Sequence, residues 1–390
     1  MSKVFDKSEY DNRLQRVRQA LSDRGLDAIV VGDPANMNWL TGYDAWSFYV
    51  PQIMVVSLDR DPVWIGREMD AGAAFLTTYM DEADVVPYPE DLVQRDGIHA
   101  AGYMADWMKD NGFARKSLGY ESDVYYFSAK SLATLQAGLP NATWTDADLT
   151  LNWVRAVKSQ AEIDTLSEAA VLAGVAQRYA FEHARPGIRQ CDLAAGIYQA
   201  AISGTEAFGG QATAIPVLIL AGEGATTAHP MWTDAPLEQD QTVAFELGGC
   251  RNRYNAGLAR TLHLGTLPEE VKRTAGAVEE GLDRVLETLR AGVVAGDVHR
   301  AWQQVLDRYG LEKKSRIGYS IGFAYAPDWG EHTISLRARE QTVIPENAVM
   351  HVMLGMWLEG GGMELSETVH VMADGCRCLT DFPRQVVAID

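Results

Sequence analysis

The sequence predicts an α+β protein of two domains, and three observations carry that reading. Helical and strand patterns alternate as far as about Asp148, as they do in an α/β unit. Beyond it, long amphipathic stripes are interspersed with strand patterns, which suits helices packed on a curved, mostly antiparallel sheet. The 390 residues also exceed the roughly 100–200 that one hydrophobic core usually serves.

The elements follow in order. Leu14, Val17 and Leu21 share one helical face and lead through Gly25 into the strand Asp27–Gly32. Asp33–Tyr43 reads as a loop rich in aromatic and amide side chains. Gln52–Leu58 and Pro62–Ile65 form a hairpin about Asp59-Arg60-Asp61. The domains are placed at 1–152 and 153–390. Just past the boundary, Ser159 and Glu162 have capping-box spacing, and Ile163, Leu166 and Ala170 continue one stripe. Val271, Ala275, Val278, Leu282, Val285 and Leu289 mark a second long helix, with Glu269 and Glu270 suited to its positive N-terminal end. Strand patterns occupy Ile215–Leu220, Thr242–Leu247, Ala259–Leu264, Val349–Leu354 and Glu364–Val371.

Composition narrows the function. Lys and Arg number 34 against 53 Asp and Glu, a formal charge of −19. Such a surface repels phosphate backbones, so no nucleic-acid partner is expected. There is neither an apolar leader nor an apolar run of about 18 residues, so no membrane association is expected and the reading is cytoplasmic. The four cysteines, Cys191, Cys250, Cys376 and Cys378, are scattered and read as buried thiols in a reducing compartment. Cys376 and Cys378 form a lone C-x-C, short of the ligands a metal clip needs.

A string of short motifs carries the chemistry. In order come His229, Glu246-Leu247-Gly248, Tyr254, Arg260-Thr261, Gly318-Tyr319-Ser320-Ile321-Gly322 and Glu367-Thr368-Val369-His370-Val371. Their order and spacing resemble the creatinase/methionine aminopeptidase superfamily over nearly the whole chain. The resemblance implies a creatinase-like α/β N-terminal domain followed by a pita-bread catalytic domain. Members that bind two metals use two aspartates, a histidine and two glutamates, and those positions fall here on Glu246, Gly257, Tyr319, Met353 and Ser366. One carboxylate in five does not make a dinuclear centre, so no metal and no other cofactor is expected.

Creatinase, a metal-free hydrolase of the superfamily, uses a histidine in an Ala-His context. Thr227-Ala228-His229-Pro230 matches it, which implies His229 as a general base that deprotonates water and returns the proton. Creatinase's two substrate-facing glutamates fall on Ala259 and Met353, which argues against creatine as substrate. Strand alternation puts Glu364, Ser366 and Thr368 on one face and Glu367 on the other, and it groups His351 with Met353 and Gly355. Glu246 and Glu364 are therefore catalytic candidates, His351 is a pocket residue and Glu367 is structural. Two such carboxylates without a metal favour a cationic ligand. Trp46, Phe48, Tyr49, Trp232, Trp329 and Trp357 suggest an aromatic box for a delocalised cation, several of them beside turn signals such as Asp328-Trp329-Gly330 and Met356-Trp357-Leu358-Glu359-Gly360.

Asp33–Val50, Ala228-His229-x-x-Trp232, Pro327–Glu331 and Gly362–Thr368 further resemble the ectoine hydrolases. These are metal-free members that open the cyclic amidine of ectoine to N-acetylated 2,4-diaminobutyrate. That resemblance implies amidine hydrolysis by His229, Glu246 and Glu364, through water that His229 activates or through a glutamyl acyl-enzyme, with Trp232, Trp329, Trp357, His351, Tyr319, Trp46 and Tyr49 binding a small cationic or zwitterionic substrate. It also implies a homodimer with a shared active site, in which Asn36–Tyr49 is a lid supplied by the other subunit. The alternatives are a metal-free hydrolase or lyase of a guanidino or betaine-like compound, and an inactive ligand-binding homologue.

Overall fold

The computed structural model describes residues 3–358 and 362–389, so Glu359 and Gly360 of the turn noted above lie outside the described residues. The chain forms two compact units, Met1–Arg155 and Ala156–Asp390.

The first unit runs α1 (Lys7–Asp23), β1 (Ala28–Val31), α2 (Pro34–Thr41), β2 (Ile53–Ser57), β3 (Val63–Arg67), α3 (Ala71–Thr77), β4 (Val85–Tyr88), α4 (Ala101–Asp110), β5 (Ser117–Tyr120), α5 (Ala129–Gly138) and β6 (Thr143–Asp146). A further short helix, α6 (Thr150–Ala156), runs through the division. The six strands form a mixed sheet in the order β4-β3-β2-β1-β5-β6. Leu14, Val17 and Leu21 are buried on α1, and β2 and β3 pair as the expected hairpin, with Ile53 opposite Ile65. Asp33–Tyr43 is not a loop. Pro34–Thr41 is a helix, started by Asp33, whose side chain accepts from the Ala35 amide at 2.9 Å, and by Pro34 at its first position. Gly42 ends it in the left-handed conformation, φ 85°. Those start and stop residues outweigh the amide-rich composition that suggested a loop.

The second unit comprises α7 (Gln160–His183), α8 (Gln190–Ser203), β7 (Leu218–Ala221), β8 (Gln241–Arg251), β9 (Tyr254–Leu264), α9 (Glu269–Thr288), α10 (Ala295–Tyr309), β10 (Gly318–Ile321), β11 (Gly330–Ser335), β12 (Val349–Met356), β13 (Met363–Val371), β14 (Cys376–Cys378) and β15 (Val387–Ile389). The strands form two sheets rather than one, ordered β11-β10-β12-β13-β14 and β15-β9-β8-β7. All neighbours pair antiparallel except β15 with β9. Between β9 and β13, hydroxyl side chains replace the ladder. The Ala259 amide donates to Ser366 Oγ at 2.6 Å and Thr368 Oγ1 donates to the Gly257 carbonyl at 2.9 Å. Thr261 Oγ1 donates to the Glu364 carbonyl at 2.9 Å and accepts from its amide at 2.8 Å. Satisfying backbone groups in this way lets two short sheets meet without exposing edges.

Each sheet buries its outer face under helices. Ala176, Ala180, Leu193 and Ile197 of α7 and α8 pack with Ile219, Phe245, Leu247 and Leu262. Val278, Leu282, Val298 and Trp302 of α9 and α10 pack with Val352, Leu354, Leu365 and Val369. The opposite, inner faces are left to carry polar side chains. The capping box at the start of α7 is complete, with the Ser159 amide donating to Glu162 Oε2 at 2.9 Å and the Glu162 amide donating to Ser159 Oγ at 3.3 Å. Ser159→Ala should therefore cost about 1 kcal/mol, measured as a lower urea midpoint with an unchanged slope. An unchanged midpoint would show that the cap adds nothing.

Candidate active site

Alternation fixes which side chains share the inner faces. On the four-stranded sheet, Glu246 lies opposite Ala259 and Gly248 opposite Gly257. On the five-stranded sheet, His351, Met353 and Gly355 lie opposite Thr368, Ser366 and Glu364. Arg260 and Glu367 point the other way and pair at 2.5 Å. Arg260 also donates to the carbonyls of Ser366, Phe382 and Pro383, pinning the chain after β14. Glu367 is structural, and neither inner carboxylate is spent on Arg260.

Glu364 is fully buried, and neither of its carboxylate oxygens has a hydrogen-bond partner. Burial, and then the neighbouring Glu246 charge, push its carboxyl well above the usual range, while Lys313 pulls the other way. Burial, and then Asp328, push Glu246 up to about 7. Glu246 thus raises Glu364 and is itself raised by Asp328, and carboxyls shifted up in this way favour their protonated forms. Asp328 is the ionised neighbour. Burial works to raise it, yet bonds from His332 Nε2 at 2.8 Å and the Gly330 amide at 2.9 Å keep it low.

Beside the carboxylates, four side chains form one hydrogen-bonded run. Trp329 Nε1 donates to Tyr319 Oη at 2.9 Å, Tyr319 Oη lies 3.2 Å from His351 Nδ1, and His351 Nε2 lies 2.7 Å from Ser366 Oγ. The imidazole stands edge-on to both the Tyr319 and the Trp329 rings, 5.5 Å between centroids in each case. Burial, and then the Arg316 charge, lower His351 to about 3, so the ring is neutral and carries a single N–H. One hydroxyl neighbour therefore donates to it and the other accepts. Both rings depend on glycines. A Cβ at Gly257 would come within 2.8 Å of His351 Nε2, and one at Gly248 within 2.5 Å of Trp329 Cζ3. The facing Gly248 and Gly257 are thus sites of close approach.

The remaining candidates disperse. Trp357 lies on the inner side, packed with Leu218, Leu220, Ala225 and Ala244. Trp232 packs with the helix-covered core that holds Phe245 and Leu247, away from Glu246. Trp329 has its N–H on Tyr319 and its ring perpendicular to that of His351. Among the described residues no ring contact links the three indoles, and Trp232 stands on the opposite side of β8 from Glu246, apart from the other two. His229 follows a 3₁₀ turn (Gly222–Thr226) and is exposed, with a left-handed backbone, φ 67°. Among the described residues it has no hydrogen-bond partner. In the first unit Trp46 and Tyr49 are 63% and 59% exposed. Trp46 packs on Phe48 at 4.6 Å between centroids, and Tyr49 Oη accepts from Arg67 at 3.0 Å.

Sequence reasoning passed over Lys313, which sits in the charged run Glu312-Lys313-Lys314 that reads as a solvated surface. Its chain is buried, and its Nζ donates to the Gly355 carbonyl. Asp328 was visible only as a turn residue. The facing glycines were a usable signal for the rings, because glycine inside a strand often marks the close approach of another group.

Comparison with known proteins places the chain. Residues 164–373 match the metallopeptidase family M24, and residues 13–157 match the creatinase/prolidase N-terminal domain. The chain belongs to family M24. It is 40% identical to an uncharacterized hydrolase/peptidase, y4tM, of Sinorhizobium fredii, covering 99% of both chains. It is 39% identical to an ectoine hydrolase of Halomonas elongata, covering 99% of this chain and 98% of that one. Among solved structures it is similar to a dipeptidase, PepE, of Mycobacterium ulcerans, with a TM-score of 0.83, 21% identity and 99% coverage of both chains.

The family's metal does not fit these residues. Of the five positions that the resemblance assigns to metal ligands, Gly257 has no side-chain donor, Met353 only a soft thioether, and Tyr319 and Ser366 are occupied by His351. Among the described residues no group of three or more His, Cys, Asp or Glu is placed to hold a metal ion. The imidazole of His351 fills the space that a side chain on residue 257 would need.

The raised Glu246 has a sign that can be checked. A carboxyl whose folded pKa of about 7 exceeds its ordinary 4.5 adds stability below the lower value and loses it as pH rises through the upper one. Glu246→Gln removes that loss. It should melt above the wild type near pH 8 and alongside it near pH 4.5, and identical pH profiles would contradict the shift.

Proposed function

We propose that the protein hydrolyses the ring of a small cyclic amidine of the ectoine type, without a metal, to N-acetyl-2,4-diaminobutyrate. The observation that carries the reading is the pair Glu246 and Glu364, buried on facing inner strands, with neither in an ion pair among the described residues and both Glu364 oxygens without a hydrogen-bond partner. An amidinium presents two N–H groups and one delocalised positive charge. Each carboxylate can accept one N–H, and the charge lets both ionise. The likeness to the ectoine hydrolase of Halomonas elongata supports the same substrate class.

The step balances as a hydrolysis. Water attacks the carbon between the ring nitrogens, His229 takes its proton, and a tetrahedral carbon forms. The carbon–nitrogen bond then breaks and the proton returns to the departing nitrogen, leaving an acetamide and an amine. Glu246 and Glu364 orient the ring and keep it charged. His351 is unsuited to the base role, because both its nitrogens are engaged and its pKa near 3 leaves it feebly basic. It positions Tyr319 and Ser366 instead. Two observations support His229. Its loop is anchored through Ala225, which packs with Trp357 on the inner side. Its left-handed backbone costs about 1–2 kcal/mol with no described contact to offset it, and such strain gathers at functional positions.

The exposed Trp46 and Tyr49 take their substrate-binding role in a homodimer, and turnover per subunit should then fall on dilution in step with dissociation. Incubation with ectoine, followed by NMR, should show the acetamide methyl of the product. His229→Ala should lower kcat by about 10²–10⁴-fold with an unchanged melting temperature. Chelator dialysis should leave kcat as it was. A variant that keeps its rate would remove His229 from the chemistry, and activity lost to chelation and restored by a divalent metal would overturn the reaction as written.

A further inference from the structure

We infer that Lys313 is a specificity-determining residue that binds a carboxylate borne by the substrate, so that the site selects zwitterionic rings over plain amidines. This deepens the proposed function and rests on it. Lys313 is only 9% exposed, an unusual position for an ammonium, and one of its three N–H donors goes to the Gly355 carbonyl. Gly355 is the register partner of Glu364. The ammonium therefore sits across one strand pairing from a buried carboxylate, yet both Glu364 oxygens lack a hydrogen-bond partner. A cation and an anion held this near without touching leave room for a ligand between them.

The surroundings fit that ligand. A cleft of about 260 Å³ opens beside Lys313 and is lined by Gly355, Met356, Trp357 and Leu358. Neither Glu246 nor Glu364 lines this cleft, and Trp357 is the link between it and the inner sheet. Trp357 crosses from this cleft to the inner sheet, where it packs with Ala244, two residues along its strand from Glu246. A Cβ at Gly355 would meet the Trp357 ring at 2.6 Å, so the indole lies directly on the strand that Lys313 caps. The titratable groups that face Lys313 are Glu364 on the inner strand, itself acted on by Glu246, and His299 from α10, whose pKa burial and the Lys313 charge lower. Glu312 and Lys314 flank it in the chain. Burial lowers the ammonium to about 8, with Glu364 opposing the change, so it remains charged at neutral pH. One amidinium on the carboxylates and one carboxylate on Lys313 satisfy all three groups at once. The small residue at 355 is what lets indole and ammonium share that strand end.

The test compares ectoine with the same ring lacking its carboxylate, 2-methyl-1,4,5,6-tetrahydropyrimidine, in wild type, Lys313→Gln and Lys313→Arg. Loss of the charge should lower kcat/KM for ectoine by about 10- to 100-fold, the worth of one charge-assisted hydrogen bond. Turnover of the decarboxylated ring should stay within about 3-fold, and Lys313→Arg should recover most of the ectoine activity. An equal loss on both rings, or no loss on either, would overturn the assignment while leaving the amidine hydrolysis standing. If the wild type opens neither ring, the proposed function and this assignment fall together.

Discussion

Two buried carboxyls on facing strands, given no cation to touch, are the constraint around which the second unit is arranged. Ionising both in that surrounding is costly: burial pushes both Glu246 and Glu364 up, Asp328 adds to the shift of Glu246, and Glu246 adds to that of Glu364. A fold does not keep such a pair for stability. The neighbouring positions are small or hydroxylic, Ala259, Ser366 and Thr368, and they spend their hydrogen bonds on the join between the two sheets rather than on the acids. Arg260, the cation that could have neutralised them, is turned to the outer face and saturated by Glu367 and backbone carbonyls. The acids are kept available.

The same geometry shows what stands at the positions that the resemblance assigns to the family's metal ligands. Glycines at 248 and 257 open space on one strand pair, and Trp329 and His351 fill it from above. The imidazole is then locked by two hydroxyls and driven to neutrality, so it serves as a rigid prop for Tyr319 and Ser366. Under the proposed function, the substrate's own positive charge would do the electrostatic work that a divalent ion would otherwise do.

Much of this was legible in the sequence. The capping box at Ser159, the hydrophobic stripe from Val271 and the alternation along 364–368 depend on local chemistry and spacing, and each appears where the pattern puts it. Alternation also separated Glu364 from Glu367 correctly, because side-chain direction in a strand is a parity. The helix at Pro34–Thr41 was missed, since its amide-rich composition hid the Asp-Pro start and the Gly stop. The division into two sheets was missed because it depends on Thr261, Ser366 and Thr368 bonding to distant backbone. Trp232 was expected on the substrate and packs instead in the helix-covered core, since a loop residue has no parity to say which core it joins. Lys313 was invisible for a different reason, a charge run being ordinarily solvent-facing.

The central claim concerns protons, and calorimetry measures it directly. His229→Ala, slow in turnover, can be titrated with ectoine near pH 6.5 in buffers of different ionisation enthalpy. If the amidinium displaces protons from Glu246 and Glu364, the apparent enthalpy will vary with the buffer, corresponding to about one or more protons released per ring bound. An enthalpy independent of buffer would show that the carboxyls were already ionised, or that they are not where the ring binds.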